Sequence, residues 1–223
     1  MIIVFDLDDT LYDEINYVKS GFKAVSNFLS ENFNINKNEA FNIMIYELDK
    51  NGRGKIFDVV LKKYKIYTVK NLKKCISLYR LHNPEITLTQ ETISCLERFH
   101  NYKKYIITDG NKIVQQKKIK ALNIEKYFTF CFISRRYGIH NEKPSMYCFQ
   151  KICELESTTP ENIVYIGDNP AKDFVGIKPF GIKTIRIMKG NYRDIVKTIE
   201  YEAQIQINSL SELTSQLLNK IFV

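Results

Sequence analysis

The chain has 223 residues, 44% of them hydrophobic and 26% charged, the make-up of a globular protein rather than a disordered or fibrous one. No uninterrupted apolar stretch approaches the roughly 18 residues of a membrane-spanning helix, and the five scattered cysteines follow neither a zinc-site spacing nor a disulfide framework. A net charge of +8 admits an anionic partner, a phosphorylated small molecule or a nucleic acid, but the excess is local: residues 14–86 carry 13 Lys and Arg against 7 Asp and Glu, a net +6, which leaves +2 for the remainder.

The amino terminus, Met-Ile-Ile-Val-Phe followed at once by Asp6, lacks the basic flank and long apolar region of a signal peptide, so a cytoplasmic protein with reduced cysteines is expected. Residues 2–5 form a short, continuous apolar run, as in a parallel strand covered on both faces. Similar runs recur at 105–107, 130–133, 163–166 and 184–187, with a weaker one at 205–207 and helical stretches between them. Strands alternating with helices imply an α/β fold: a Rossmann-like, three-layer parallel sheet with right-handed crossovers.

Residues 14–86 differ, offering helical periodicities and no good strand. Val18, Phe22, Val25 and Leu29 make one stripe; Ala40, Ile43, Met44 and Leu48 a second; Phe57, Val60, Leu61 and Tyr64 a third; Leu72, Cys75, Ile76 and Tyr79 a fourth. The expected organisation is therefore a core of residues 1–13 and 87–223 with an all-helical domain, 14–86, inserted after the first strand. An insertion at that point is expected to cover the carboxyl ends of the strands, where open α/β sheets bind ligands.

Four short segments carry the chemistry. Asp6-Leu7-Asp8-Asp9-Thr10 follows the first strand; alternate residues of an extended segment share a direction, so Asp6 and Asp8 can converge. Ile106-Ile107-Thr108-Asp109-Gly110-Asn111 ends the second strand and leads into a helix over about 112–122, where a hydroxyl and exposed N–H groups make a seat for phosphate. Glu142-Lys143-Pro144-Ser145 reads as a helix opening with proline in the first turn, which leaves Lys143 just outside it. Tyr165-Ile166-Gly167-Asp168-Asn169-Pro170-Ala171-Lys172-Asp173 again follows a strand and adds two carboxylates. Taken singly, each segment is also compatible with a polar turn, a helix cap or a solvated lysine.

Taken together and in this order, D-x-D-x-T, T, K and G-D-x(4)-D, they resemble the haloacid dehalogenase superfamily of phosphohydrolases over essentially the whole chain. The insertion is similar to the helical cap of its subfamily I. The resemblance implies that Asp6 is the nucleophile that accepts the phosphoryl group and that Asp8 is the general acid and base. It implies that Thr108, with the N–H groups of Asp109 and Gly110, holds the phosphoryl oxygens, and that Lys143 offsets negative charge. By the same resemblance Asp6, the Asp8 carbonyl, Asp168 and Asp173 bind Mg²⁺ as the cofactor.

The implied activity is a Mg²⁺-dependent phosphatase acting on a small phosphorylated metabolite such as a sugar phosphate or nucleotide. A phosphomutase of the same fold is the alternative within enzymes, and a receiver-like module that only carries phospho-aspartate is the alternative outside them. Asp8, Asp168 and Asp173 argue against dehalogenation, which dispenses with the acid/base aspartate and the metal. No helix-turn-helix or aromatic RNA-binding motif is present, so neither nucleic acid nor membrane is expected as a partner. In the insertion, Arg53 and Lys55, beside the Asn51-Gly52-Arg53-Gly54 break, and Arg80 are candidates for substrate binding, whereas His82, His100 and His140 show no ligand spacing.

Overall fold

The structure, a computed structural model, describes residues 1–222. Six parallel strands, β1 (Ile2–Phe5), β2 (Lys103–Thr108), β3 (Phe130–Ile133), β4 (Ile163–Gly167), β5 (Lys183–Ile187) and β6 (Ile205–Ile207), form one sheet in the order β3-β2-β1-β4-β5-β6. All four residues of β1 are buried, as are the five of β4, which is why these runs read as continuously apolar rather than alternating. The strand order reverses at β1: β2 and β3 lie on one side and β4, β5 and β6 on the other. Phe5 is in register with Ile106 of β2 and Ile166 of β4, so the residues after all three strands emerge at one level, at the switch point where such sheets bind ligands.

Two compact units are present, Ile15–Ile86 and, separately, Met1–Glu14 with the residues from Thr87 on. The first is helical: α1 (Glu14–Phe33), α2 (Lys37–Asn51), α3 (Ile56–Lys63) and α4 (Val69–Leu81). Asn36 caps α2 by accepting from the N–H groups of Asn38 and Glu39, and Thr68 caps α4 by accepting from Asn71, the expected use of short polar side chains at helix starts. Its core gathers Val18, Phe22, Val25, Leu29, Ala40, Met44, Val60, Leu61 and Cys75, so the four stripes face one another. This unit has its own hydrophobic centre.

The sheet-bearing unit adds α5 (Gln90–Arg98), α6 (Lys112–Ala121), α7 (Tyr147–Glu156) and α8 (Ser215–Phe222). Asn111 caps α6. Phe149 and Ile152 of α7 pack with Val4, Tyr105, Ile163 and Tyr165 in one cluster. α7 begins later than the sequence suggests: Pro144 lies ahead of the helix, joined to Lys143 by a cis peptide. The reason is local: the N–H of Lys143 is bonded to the Asp109 side chain and Glu142 to Gly110 and Arg135. Lys143 and Pro144 occupy a tight turn closed by the Ser145 N–H donating to the Glu142 carbonyl at 3.0 Å, after which the Ser145 hydroxyl accepts from the N–H of Tyr147. All five cysteines are free; Cys75, Cys95 and Cys148 are buried. No helix among the described residues is long and apolar enough to cross a membrane.

Candidate active site

Asp6 continues β1 past its last residue, its N–H donating to the Ile166 carbonyl at 2.8 Å. Its carboxylate meets the Lys143 ammonium at 2.7 Å, and the same ammonium lies 2.8 Å from Asp173 and 2.8 Å from the Tyr165 hydroxyl. Lys143 and its three partners are all buried. Asp173 also accepts from the N–H of Asn169 at 2.9 Å, which folds the turn after β4 back on itself. Gly167 makes that possible: a Cβ there would stand 2.5 Å from the Asp173 carboxylate.

Carboxylate oxygens of Asp6, Asp168 and Asp173 lie within 4.8 Å of one another, all three residues being buried. One ammonium bridges two of these three acids. Burial raises the Asp6 carboxyl to about 7, Lys143 pulling the other way and Asp173 adding repulsion. Burial, then Asp6 and Asp173, push Asp168 up to about 9. Desolvation works against the Lys143 charge, but Asp173 and Asp6 outweigh it and hold the ammonium well above its usual value. Among the described residues the Asp168 carboxylate accepts no hydrogen bond and enters no ion pair. Three hard oxygen donors, underneutralised and shielded from water, suit a small divalent cation.

Asp8 does not join this group. Its carboxylate turns to α6, where Lys118 donates to both oxygens at 2.7 and 2.9 Å, Gln115 to one at 2.9 Å and the Tyr12 hydroxyl to the other at 2.6 Å. Lys118 is only 3% exposed at its side chain. Burial alone would raise the Asp8 carboxyl, but the Lys118 charge and these hydrogen bonds outweigh it, so it is held below the usual range. The sequence spacing allows Asp6 and Asp8 to converge; a lysine on a neighbouring helix draws them apart. Gln115 and Lys118 escape a sequence reading because polar residues on a helix default to solvent. The only signal is the i, i+3, i+4 spacing of Gln115, Lys118 and Ile119, which puts all three on the buried face of α6.

Thr108 closes β2, buried, with its hydroxyl accepting from Gln115 at 2.5 Å. Asp109 accepts from Ser134 and from the N–H of Lys143, and its other oxygen meets Lys172 at 3.0 Å. Its carboxyl is lowered, Lys143 and Lys172 outweighing burial. The N–H of Gly110 donates to Glu142 at 3.1 Å, so this donor, expected from the resemblance to hold phosphate, is engaged by a carboxylate. Arg53, Lys55 and Arg80 belong to the helical unit. Arg53 and Arg80 line one cavity of about 280 Å³ with Val18, Phe22, Phe57 and Tyr79; Lys55 is outside it.

The family described as haloacid dehalogenase-like hydrolase matches residues 3–187. The glyceraldehyde 3-phosphate phosphatase of Methanocaldococcus jannaschii is 33% identical, the alignment covering 97% of this chain and 96% of that protein; its namesake from Pyrococcus furiosus is 28% identical over 97% and 92%. Among solved structures, the magnesium-bound putative hydrolase YfnB of Bacillus subtilis is similar in fold, with a TM-score of 0.66 at 21% identity over 98% of each chain.

Asp168 yields a pH prediction for the cation-free protein. Its carboxyl is raised from the ordinary 3.8 to about 9 in the folded state, so between those limits folded protein keeps a proton that unfolded chain releases. Stability from this group is therefore present below the ordinary value and is lost as pH rises toward the folded one. In chelator, Asp168→Asn should raise the melting temperature over wild type more at about pH 8.5 than at about pH 5. An offset independent of pH contradicts it.

Proposed function

Because the chain belongs to the haloacid dehalogenase-like hydrolase family, we propose that it is a Mg²⁺-dependent phosphatase that hydrolyses a small sugar phosphate through a phosphoryl group carried on Asp6. The observation that carries this reading is the buried Asp6 carboxylate pinned by Lys143 beside Asp168 and Asp173. With one oxygen held, the carboxylate is oriented for in-line attack on phosphorus. Lys143 stays charged through the reaction and lies where negative charge accumulates. The Thr108 hydroxyl is placed to hold a phosphoryl oxygen, and its Gln115 contact fixes its direction.

Asp6, Asp168 and Asp173, with the Asp8 carbonyl, would hold Mg²⁺, which when bound offsets the charge of the carboxylates and the phosphoryl group. Asp8 protonates the leaving oxygen and later takes a proton from water. Its ion pair with Lys118 favours the ionised form, ready for the second task; the first requires the carboxyl to loosen from Lys118. The haloacid reading implied by the family name is disfavoured by Asp8, Asp168 and Asp173, which such a reaction leaves without work. Glyceraldehyde 3-phosphate, from the names of the two relatives, is the first substrate to test. The helical unit, read as a cap with net charge +6 over residues 14–86, supplies recognition beyond the phosphoryl group.

Three outcomes test this. Activity on 4-nitrophenyl phosphate should require Mg²⁺ and vanish in chelator, and Asp6→Asn should abolish turnover while circular dichroism stays native; a folded Asp6→Asn enzyme with near-normal rate would sink the nucleophile assignment. Lys118→Met removes the charge that lowers Asp8, so the limb of the pH–rate profile governed by Asp8 should move to higher pH whichever of its tasks limits the rate. Arg53→Ala or Arg80→Ala should lower kcat/KM on glyceraldehyde 3-phosphate by roughly ten- to a hundredfold for whichever residue makes a charge-assisted contact, with the aryl ester little changed. Lys55→Ala should have the smallest effect of the three, and parallel losses on both substrates would indicate a damaged fold instead.

A further inference from the structure

Arg186 of β5 is the largest fully buried side chain in the protein, 1% exposed, and the chemistry above gives it no task. Every N–H of its guanidinium is used. Nε donates to the backbone carbonyl of Asp168 at 3.2 Å; Nη1 donates to both carboxylate oxygens of Glu202 at 2.8 Å; Nη2 donates to the carbonyls of Tyr192 and Ile195. A planar fork of five donors is thereby split between the acidic turn after β4 and a distant stretch of chain.

That stretch, residues 190–202, has one short helical turn and no buried residue. Its apolar side chains point outward, Val196 being 85% and Ile199 80% exposed, so hydrophobic burial does not fix its position. Polar anchors do. Beyond Arg186, Lys178 donates to the carbonyls of Ile199 and Glu202 at 2.6 and 2.8 Å, and Glu202 accepts from the N–H of Lys197 at 3.0 Å. The stretch abuts the first acidic segment as well: Gly190, at φ +63, leaves so little room that a Cβ would stand 2.1 Å from the Asp9 carboxylate.

We infer that Arg186 is a positioning residue that joins the Asp168 turn and residues 190–202 into one rigid body, so that Glu202, which touches none of the acidic cluster, helps set how Asp168 presents its carboxylate. As a statement about cation binding this rests on the Mg²⁺ reading of the cluster; as a statement about the turn it does not. The chain of contact is short. Glu202 neutralises and orients the guanidinium, the guanidinium holds the Asp168 carbonyl, and the buried Asp168 carboxylate itself has no hydrogen-bond or ion-pair partner among the described residues. Outer partners that orient a ligand commonly matter about ten- to a hundredfold in metal affinity.

The experiment compares wild type and Glu202→Gln by amide hydrogen exchange in chelator and by calorimetric titration with MgCl₂. Glu202→Gln keeps the shape but removes the charge opposite Arg186. The expected result is faster exchange both in residues 190–202 and in the turn 168–173, whose N–H groups at Asn169, Lys172 and Asp173 are otherwise bonded, with β1 and β2 unchanged and Mg²⁺ affinity about tenfold weaker. Faster exchange confined to 190–202 with unchanged affinity overturns the inference, since Arg186 would then only brace the loop. Acceleration spread over the whole sheet overturns it too, as general destabilisation. If wild type takes up no Mg²⁺, the cation reading fails, and the exchange pattern in the turn alone decides the role of Arg186. Should Glu202→Gln fail to fold, Glu202→Asp, which keeps the charge at a shorter reach, is judged by the same pattern.

Discussion

A single ammonium, Lys143, lies between Asp6 and Asp173 in a place that water does not reach, and the rest of the site is arranged around that fact. Burying carboxylates is costly unless they are paired or coordinated. Asp6 comes from the end of β1, Asp168 and Asp173 from the turn after β4, and Lys143 from the tight turn before α7. Their convergence is built into the sheet: β1 and β4 are neighbours in register, and both run out at the level where the strand order reverses. Without Lys143 the folded state would hold three mutually repelling acids; with it, the group remains short of positive charge, the condition in which a hard cation binds well.

Two further cations make the surroundings stiff. Lys118 takes Asp8 out of the cluster and holds it against α6, and Lys172 holds Asp109, which in turn holds the backbone of Lys143. These contacts do more for orientation than for stability, because buried ion pairs recover little beyond their own desolvation cost. Preorganisation of this kind is what phosphoryl transfer asks of a protein, since the reaction is governed by positioning and charge.

The sheet was legible because each strand carries a mainly apolar run, continuous in β1, and the runs are separated by helical periods; the weak run at 205–207 proved to be the edge strand β6. The helical unit was legible from its four stripes, which meet in one core. Three of the four acidic and basic segments could be read because they directly follow β1, β2 and β4, and strand ends are where a parallel sheet gathers residues; the Lys143 segment follows β3 only after two short helical turns. What could not be read was polar side chains on helices and inner strands. Lys118 and Gln115 look like surface residues until tertiary packing places them, and Arg186, alternating with isoleucines in β5, gives no local sign that Glu202 lies opposite it. Pro144 misled for a related reason: proline suits a first helical turn, but here it sits in a separate tight turn that the contacts of Asp109 and Glu142 anchor ahead of the helix.

Asp6 and Asp8 are two residues apart and are pushed in opposite directions. Asp8, whose two oxygens both accept from Lys118 with Gln115 and Tyr12 adding hydrogen bonds, is lowered even though Lys118 also meets Glu14 at 3.4 Å; Asp6, sharing its lysine with Asp173 and facing Asp168, is raised to about 7. Environments that separate two carboxyls in this way assign them different tasks. In the cation-free protein, however, the assignment is incomplete, because a carboxyl near 7 is partly protonated at neutral pH and a protonated Asp6 is no nucleophile. If Asp6 and Asp168 are ligands as proposed, they would give up the protons that their raised carboxyls retain, so occupation of the cluster by a cation would release protons and favour ionised Asp6 in the same event. On the proposed reading, the cation that would make the acids tolerable in the fold would also make one of them reactive. Cation-free protein is for that reason expected to be both less stable as pH rises and unreactive, two consequences of one shortage of positive charge.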